Sequence, residues 1–285
     1  MSETLVQAWG RGRDALKAAG VESPVLDARV LLERAAGVTR TAIVTDPHQH
    51  ISPHAVAAFD ALLARRLARE PVSHILGRKA FWTLEFAVSP AVLAPRPETE
   101  FLVEGAVAET ASTSPLSVLD LGVGSGAILL SILSMRPLAM GLGVDVSADA
   151  LAVARANAEA LGMAGRTQFR LGDWDDGLEG QFDVIVSNPP YIPTNDIEAL
   201  EPEVRDYEPR LALDGGADGL SCYRQIAPAI KRRLAPAGVA LLEFGAGQAD
   251  AVTAIVRAAG LNPVRLIQDL GARPRCLVMR QPEGG

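Results

Sequence analysis

One stretch constrains the architecture more than any other. Ser117-Val118-Leu119-Asp120-Leu121 is a short apolar run of strand length, and it empties into Gly122-Val123-Gly124-Ser125-Gly126. Ala127 to Leu133 follows as an apolar helical run. Strand, glycine turn and helix open a nucleotide-binding α/β unit, in which helices cover both faces of a mainly parallel sheet. Glycine is needed because the turn is tight and a ligand must approach the backbone closely. The spacing does not name that ligand. Gly122, Gly124 and Ala127 satisfy G-x-G-x-x-G/A, so a dinucleotide site competes. Further strand-like runs near 140–145, 167–172, 182–187, 238–243, 263–268 and 275–280 bring the count to seven, so a doubly wound α/β sheet is expected from Thr99 onward.

Other residues narrow the ligand. Asp145 closes the second strand at the distance from the loop where an acid takes ribose hydroxyls, in either kind of nucleotide site. Asp120 stands immediately before the loop, where a pyrophosphate would be repelled and a sulfonium or ammonium attracted. Gly172-Asp173-Trp174 follows the third strand, with a carboxylate able to accept from an adenine amino group and an indole face for the purine. Taken singly, Asp173-Trp174 also reads as a surface turn with a half-buried aromatic. In order along one sheet, these residues favour S-adenosylmethionine.

The fourth strand, Phe182 to Ser187, runs into Asn188-Pro189-Pro190-Tyr191. Neither proline can continue a hydrogen-bonded ladder, and each holds the residue before it extended. The Asn188 side chain and neighbouring carbonyls therefore form a stiff acceptor array beyond the strand end, suited to gripping a planar NH2 group. A proline-rich turn is the plain alternative for Asn-Pro alone.

D-L-G-V-G-S-G, V-D, G-D-W and N-P-P-Y together resemble class I methyltransferases that alkylate planar nitrogens. The fuller likeness is to the HemK/PrmC family, which methylates the side-chain amide nitrogen of a glutamine in peptide-chain release factors. It extends to Glu70-Pro71-Val72-Ser73-His74-Ile75-Leu76-Gly77, to Phe81-Trp82 and to Val92 through Glu100. Asp214 through Leu220 and Leu242-Glu243-Phe244-Gly245 carry it further, so it covers nearly the whole chain and is weakest over the first 50 residues. The resemblance implies a seven-stranded class I methyltransferase sheet with an antiparallel last strand, a small N-terminal helical domain and a β-hairpin linker. Residues 1–72 would be a helical substrate-recognition domain, 73–95 the linker and 96–285 the methyltransferase domain. It implies Asn188, Pro189 and Tyr191 as catalytic and Asn188 to Tyr191 as substrate-binding. Gly122 to Gly126, Asp145, Trp174 and Asn188 would bind S-adenosylmethionine, with no metal. Class I release factors, with the glutamine in a Gly-Gly-Gln loop, would be the substrate. Adenine or guanine amino-methylation in nucleic acid is the nearest alternative, since N-P-P-Y serves there too.

Charge bears on that alternative. Of 27 basic and 34 acidic residues, residues 1–80 hold 11 and 8, leaving 16 against 26 in the remainder. A catalytic part this acidic is a poor docking surface for polyphosphate. With 48% hydrophobic residues, the 285-residue chain can bury a sizeable core. It holds no apolar stretch approaching the roughly 18–20 residues of a membrane span. The start, Met1 to Leu5, lacks a secretory pattern. Two cysteines, Cys222 and Cys276, make neither a disulfide framework nor a metal cluster, so a cytoplasmic protein is expected, and a monomer is the expected state.

The first 70 residues read as three helices: Thr4 to Ala19, one starting at Ser23-Pro24 and ending at Gly37, and one starting at Ser52-Pro53. Arg65, Arg66 and Arg69 near the end of the third are expected on a solvated face. Phe81 to Val88 reads as a strand, turned by Ser89-Pro90, and Gln281 to Gly285 as a loose tail.

Overall fold

The structure, a computed structural model, describes residues 3–269 and 271–282. The chain falls into two compact units, residues 1–77 with 201–207, and residues 78–200 with 208–285.

The first unit is helical: α1 (Leu5–Ala18), α2 (Pro24–Ala36), α3 (Arg40–Thr45), α4 (Pro53–Leu67) and α5 (Val72–Leu76). The three expected helices begin and end where their caps dictate. Ser52 Oγ accepts from the Ala55 amide in front of Pro53, and Gly37 closes α2 in the left-handed conformation. Leu5, Leu16, Leu31, Leu32, Phe59 and Leu63 form the core. Periodicity does not reveal α3 and α5, because each is barely more than a turn long. Two of the three arginines depart from expectation. Arg65 is exposed and pairs with Glu70, but Arg66 is only 5% exposed and bridges Asp27 and Glu203, both at 2.8 Å. Arg69 also binds Glu203, so residues 201–207 are held by this unit's own arginines.

The second unit opens with a hairpin, β1 (Arg78–Phe81) and β2 (Leu84–Ala87). The continuous strand expected over 81–88 is broken at Trp82, which takes positive φ while its backbone amide donates to Glu100 Oε1 at 2.8 Å. The chain then continues through α6 (Glu100–Ala108), β3 (Ser117–Leu121), α7 (Ala127–Met135), β4 (Met140–Asp145), α8 (Ala148–Ala160), β5 (Thr167–Leu171) and β6 (Phe182–Ser187). After α9 (Pro202–Arg205), which groups with the first unit, come α10 (Ser221–Arg233), β7 (Leu234–Glu243), α11 (Ala249–Ala258), β8 (Asn262–Gln268) and β9 (Pro274–Arg280).

Seven strands lie in the order β5-β4-β3-β6-β7-β9-β8. The first five are parallel, and β9 runs antiparallel to both β7 and β8, as the resemblance implied. Burial on both sides explains the continuous apolar runs. Val118, Val184 and Val186 face a core built with α6, α7 and α8, while Leu119, Leu121 and Ile185 face one built with α10 and α11. The sheet order reverses between β3 and β6, where an open α/β sheet parts its loops to leave a crevice at the carboxyl ends of the strands.

No helix among the described residues is long and apolar enough to cross a membrane. Part of the expected tail is tied down: Gln281 Nε2 donates to the carbonyls of Lys231 and Leu234. Residues 283–285 lie outside the described residues.

Candidate active site

A cleft of about 390 Å³ opens at those strand ends. The glycine loop forms its floor. Gly122, Gly124 and Gly126 all take positive φ, and the amides of Gly122 and Val123 both donate to the Val144 carbonyl, bending the chain off β3 over the end of β4. Asp145 receives the loop. Its Oδ2 accepts from the Gly124 amide and its Oδ1 from the Ser147 amide, both at 2.9 Å. The carboxylate is thereby aimed, with one lone pair on each oxygen left for a ligand. Asn157, which the sequence did not single out, steadies the loop from α8. It donates to the Ser125 carbonyl and exchanges two hydrogen bonds with the Ala87 backbone of the hairpin.

Trp174 and Asp173 line the opposite wall. Trp174 holds positive φ, and its indole N–H donates to Gln225 Oε1 at 2.6 Å, which fixes the ring plane. A Cβ built on Gly122 would stand 3.9 Å from Trp174 Cζ3, in the space between loop and indole. The loop therefore approaches the indole edge closely, and the cleft volume falls within the roughly 300–1,000 Å³ of small-molecule sites. The residues present therefore fit a nucleoside-bearing ligand.

Asp120 does not meet its expectation as an acid facing a cationic ligand. It is 0% exposed, does not line the cleft, and neither carboxylate oxygen has a geometrically good hydrogen-bond partner. Burial raises its pKa to about 8, partly opposed by the Leu129 amide. At neutral pH it is mainly the uncharged acid, tucked under the first turns of α7.

The Asn188-to-Tyr191 segment leaves β6 on the other side of the loop. Asn188 and Pro190 line the cleft, Pro189 is buried, and Tyr191 stands behind the lining with its ring against Gly245. Burial raises the Tyr191 pKa to about 12. Asn188 Nδ2 donates to Thr99 Oγ1 at 3.0 Å, so its oxygen is the free end of the amide.

Gln248 grips the same segment from behind. Its Nε2 donates to the carbonyls of Tyr191 and Gly219, while its Oε1 accepts from the Gly245 amide. A Cβ on Gly215 would come within 2.8 Å of Tyr191 Cα, which is why glycines cluster at 215–219. Arg96 lies in the wall and pairs with the buried Glu208 at 3.1 Å. Glu98 is exposed and does not line the cleft.

Comparison with known proteins agrees with this construction. Residues 7–77 match the model of the PrmC N-terminal domain, and residues 98–201 that of the methyltransferase small domain. The chain is 52% identical over 279 residues to the release factor glutamine methyltransferase of Caulobacter vibrioides, covering 98% of this chain and 96% of that one. It is 47% identical over 275 residues to that of Rhodospirillum rubrum, covering 96% and 84%, and 40% identical over 282 residues to that of Moorella thermoacetica, covering 98% and 99%. Among solved structures it is similar to a ribosomal protein L11 methylase from Lactobacillus delbrueckii subsp. bulgaricus, with TM-score 0.51 and 17% identity over 68% of this chain and 83% of that one. A methyltransferase from Pyrococcus furiosus gives TM-score 0.50 and 18% identity over 76% and 95%. Those structures speak for the fold alone. The full-length identities decide the family: this chain belongs to the release factor glutamine methyltransferases.

Proposed function

We propose that this protein transfers a methyl group from S-adenosylmethionine to the side-chain amide nitrogen of the glutamine in the Gly-Gly-Gln loop of class I peptide-chain release factors. The observation that carries this is the placement of Asn188 on the same cleft as the glycine loop and Asp145, with its amide nitrogen already committed to Thr99.

S-adenosylmethionine supplies an electrophilic methyl on a sulfonium. The chain's part is to bind and orient. Asp145 holds the ribose hydroxyls through its two remaining lone pairs, Trp174 covers the adenine face, and the backbone of Gly122 to Gly126 takes the methionine end and sugar. A glutamine amide nitrogen is a weak nucleophile, because its lone pair is delocalised into the carbonyl. The Asn188 side-chain oxygen and the Pro189 carbonyl each accept one of its N–H groups, which fixes the amide plane and raises electron density on nitrogen. Pro190 narrows the wall beside them. Tyr191, held by Gln248, keeps the four-residue segment in register, with its ring on the side of Gly245. The new C–N bond forms as the S–C bond breaks, S-adenosylhomocysteine leaves, and the nitrogen loses one of its two protons.

The acidity of residues 81–285 favours a protein substrate over nucleic acid, and release factors place the reaction in the cytoplasm. The test is to incubate the protein with methyl-labelled S-adenosylmethionine and purified release factor, tRNA or DNA. Label is expected in the glutamine-bearing peptide, and label confined to nucleic acid would overturn the proposal. Asn188→Ala is expected to abolish transfer while changing S-adenosylmethionine affinity by no more than about threefold.

A further inference from the structure

An asparagine amide has two chemically opposite ends, Oδ1 accepting and Nδ2 donating. A half-turn about its terminal bond would present a donor where the proposed chemistry needs an acceptor, so something must choose. Asn188 Nδ2 donates to Thr99 Oγ1 at 3.0 Å, and Thr99 is 4% exposed. A hydroxyl alone does not settle the choice, because it can donate as readily as it accepts. Behind it lies Glu243, the last residue of β7, also 4% exposed, with Oε2 sealed and lacking a geometrically good partner. The register β6–β7 pairs Ser187 with Leu242, which brings the next residues of the two strands, Asn188 and Glu243, side by side. Side-chain hydrogen bonds from Thr99 and Asn188 draw Glu243 toward its charged form. An ionised carboxylate only accepts, so it orients the Thr99 hydroxyl and the Nδ2 end of Asn188 toward itself.

We propose that Glu243, acting with Thr99, is a positioning residue that holds the Asn188 amide with its oxygen toward the cleft. This rests on the glutamine-methylating function proposed above. No other described part of the site makes the choice: Asn188 Nδ2 has no other hydrogen-bond acceptor than this pair. The charge of Glu243 is set mainly by burial, which raises its pKa to about 7. Glu98 on the turn before α6 raises it further, whereas Arg275 on β9 lowers it. Tyr191, Tyr223 and Cys276 also face it. Once protonated, the carboxyl offers a hydrogen of its own, and the preference for one sense of the Asn188 amide is lost.

Glu243→Gln keeps the shape, cannot ionise, and replaces one of the two acceptor oxygens by an NH2 donor that can point at Thr99. Its kcat for release factor methylation is expected to fall at least about tenfold, with S-adenosylmethionine affinity by calorimetry within about threefold of wild type. The acid limb of the wild-type kcat profile, centred near the Glu243 pKa of about 7, is expected to be missing in this variant. Thr99→Ser should retain most of the activity that Thr99→Val loses. Independently of any substrate, the ¹⁵N-labelled side-chain amide of Asn188 in the unliganded protein is expected to shift as pH crosses that same value in wild type and to stay put in Glu243→Gln. Unchanged kcat in Glu243→Gln, or an Asn188 resonance that ignores pH in both proteins, would overturn the assignment. If wild type labels no release factor, the proposed substrate is wrong, and the resonance experiment still decides whether Glu243 orients Asn188.

Discussion

Tyr191 shows how much of the site is held by residues that never touch the cleft. Gly219 takes φ of +72°, and a Cβ there would run into the Tyr191 carbonyl oxygen and stand 2.8 Å from Gln248 Nε2. Backbone and an already committed side chain cannot give way cheaply. Gly219→Ala is therefore expected to destabilise the protein by about 1–3 kcal/mol in urea unfolding, through left-handed strain and overpacking. Turnover should fall more steeply than stability, because the shift lands on the segment that carries Asn188. Wild-type turnover in a folded Gly219→Ala would show that the register of Tyr191 is irrelevant to catalysis. Trp174 makes the same point from the sequence side. That an aromatic follows the third strand was legible, but the positive φ and the Gln225 bond that set its plane were not.

Among the elements, α4 departs furthest from its sequence pattern. Three arginines near a helix end read as a solvated, dipole-complementing face. Arg66 instead lies buried between Asp27 of α2 and Glu203 of α9, a partner 137 residues away in the chain. Removing one member of a buried pair leaves its carboxylates without compensation, so Arg66→Ala is expected to cost about 3–5 kcal/mol in thermal or urea unfolding. Arg65→Ala, breaking an exposed pair one position earlier, should cost less than about 1 kcal/mol. Equal effects would mean that burial does not distinguish the two. In α8, Asn157 ties the glycine loop to β2 by three hydrogen bonds. Asn157→Ala should cost about 1–3 kcal/mol and weaken S-adenosylmethionine binding measurably in calorimetry.

For the whole molecule, two buried carboxyls set a pH dependence of stability. Burial raises Asp120 from an ordinary 3.8 to about 8 and Glu243 from 4.5 to about 7. The native state therefore binds protons that the unfolded chain has released. Stability from these groups is fully present below about pH 4 and is lost as pH rises through about 7 and 8. Exposed Asp218 and the largely covered Asp269, both lowered to about 2 with Arg224 and with the Arg273 amide as their largest causes, act in the opposite sense and lose their contribution only toward about pH 2. Asp120→Asn cannot ionise. Its stability relative to wild type is expected to improve by at least about 1 kcal/mol between pH 5 and pH 9, read from urea unfolding. A gap that does not change with pH would show that Asp120 is not protonated in the native state.

The residue string by itself determined the seven strands, the helices capped by Ser52 and Gly37, the glycine loop, and the proline-marked end of the fourth strand at residues 188–191. Each of these is written in neighbours: apolar runs set by burial on both faces, prolines that end ladders, glycines that permit turns. The tertiary structure alone decided which groups those elements bring together. Thr99 meets Asn188 across 89 positions, and the β6–β7 register adds Glu243. It alone sealed Asp120 from the ligand its charge suggested, buried Arg66, and broke the hairpin at Trp82. A sequence shows that a charge exists. Whether that charge meets water, a partner or neither depends on chain closure over long separations, and that closure fixes its protonation and its role.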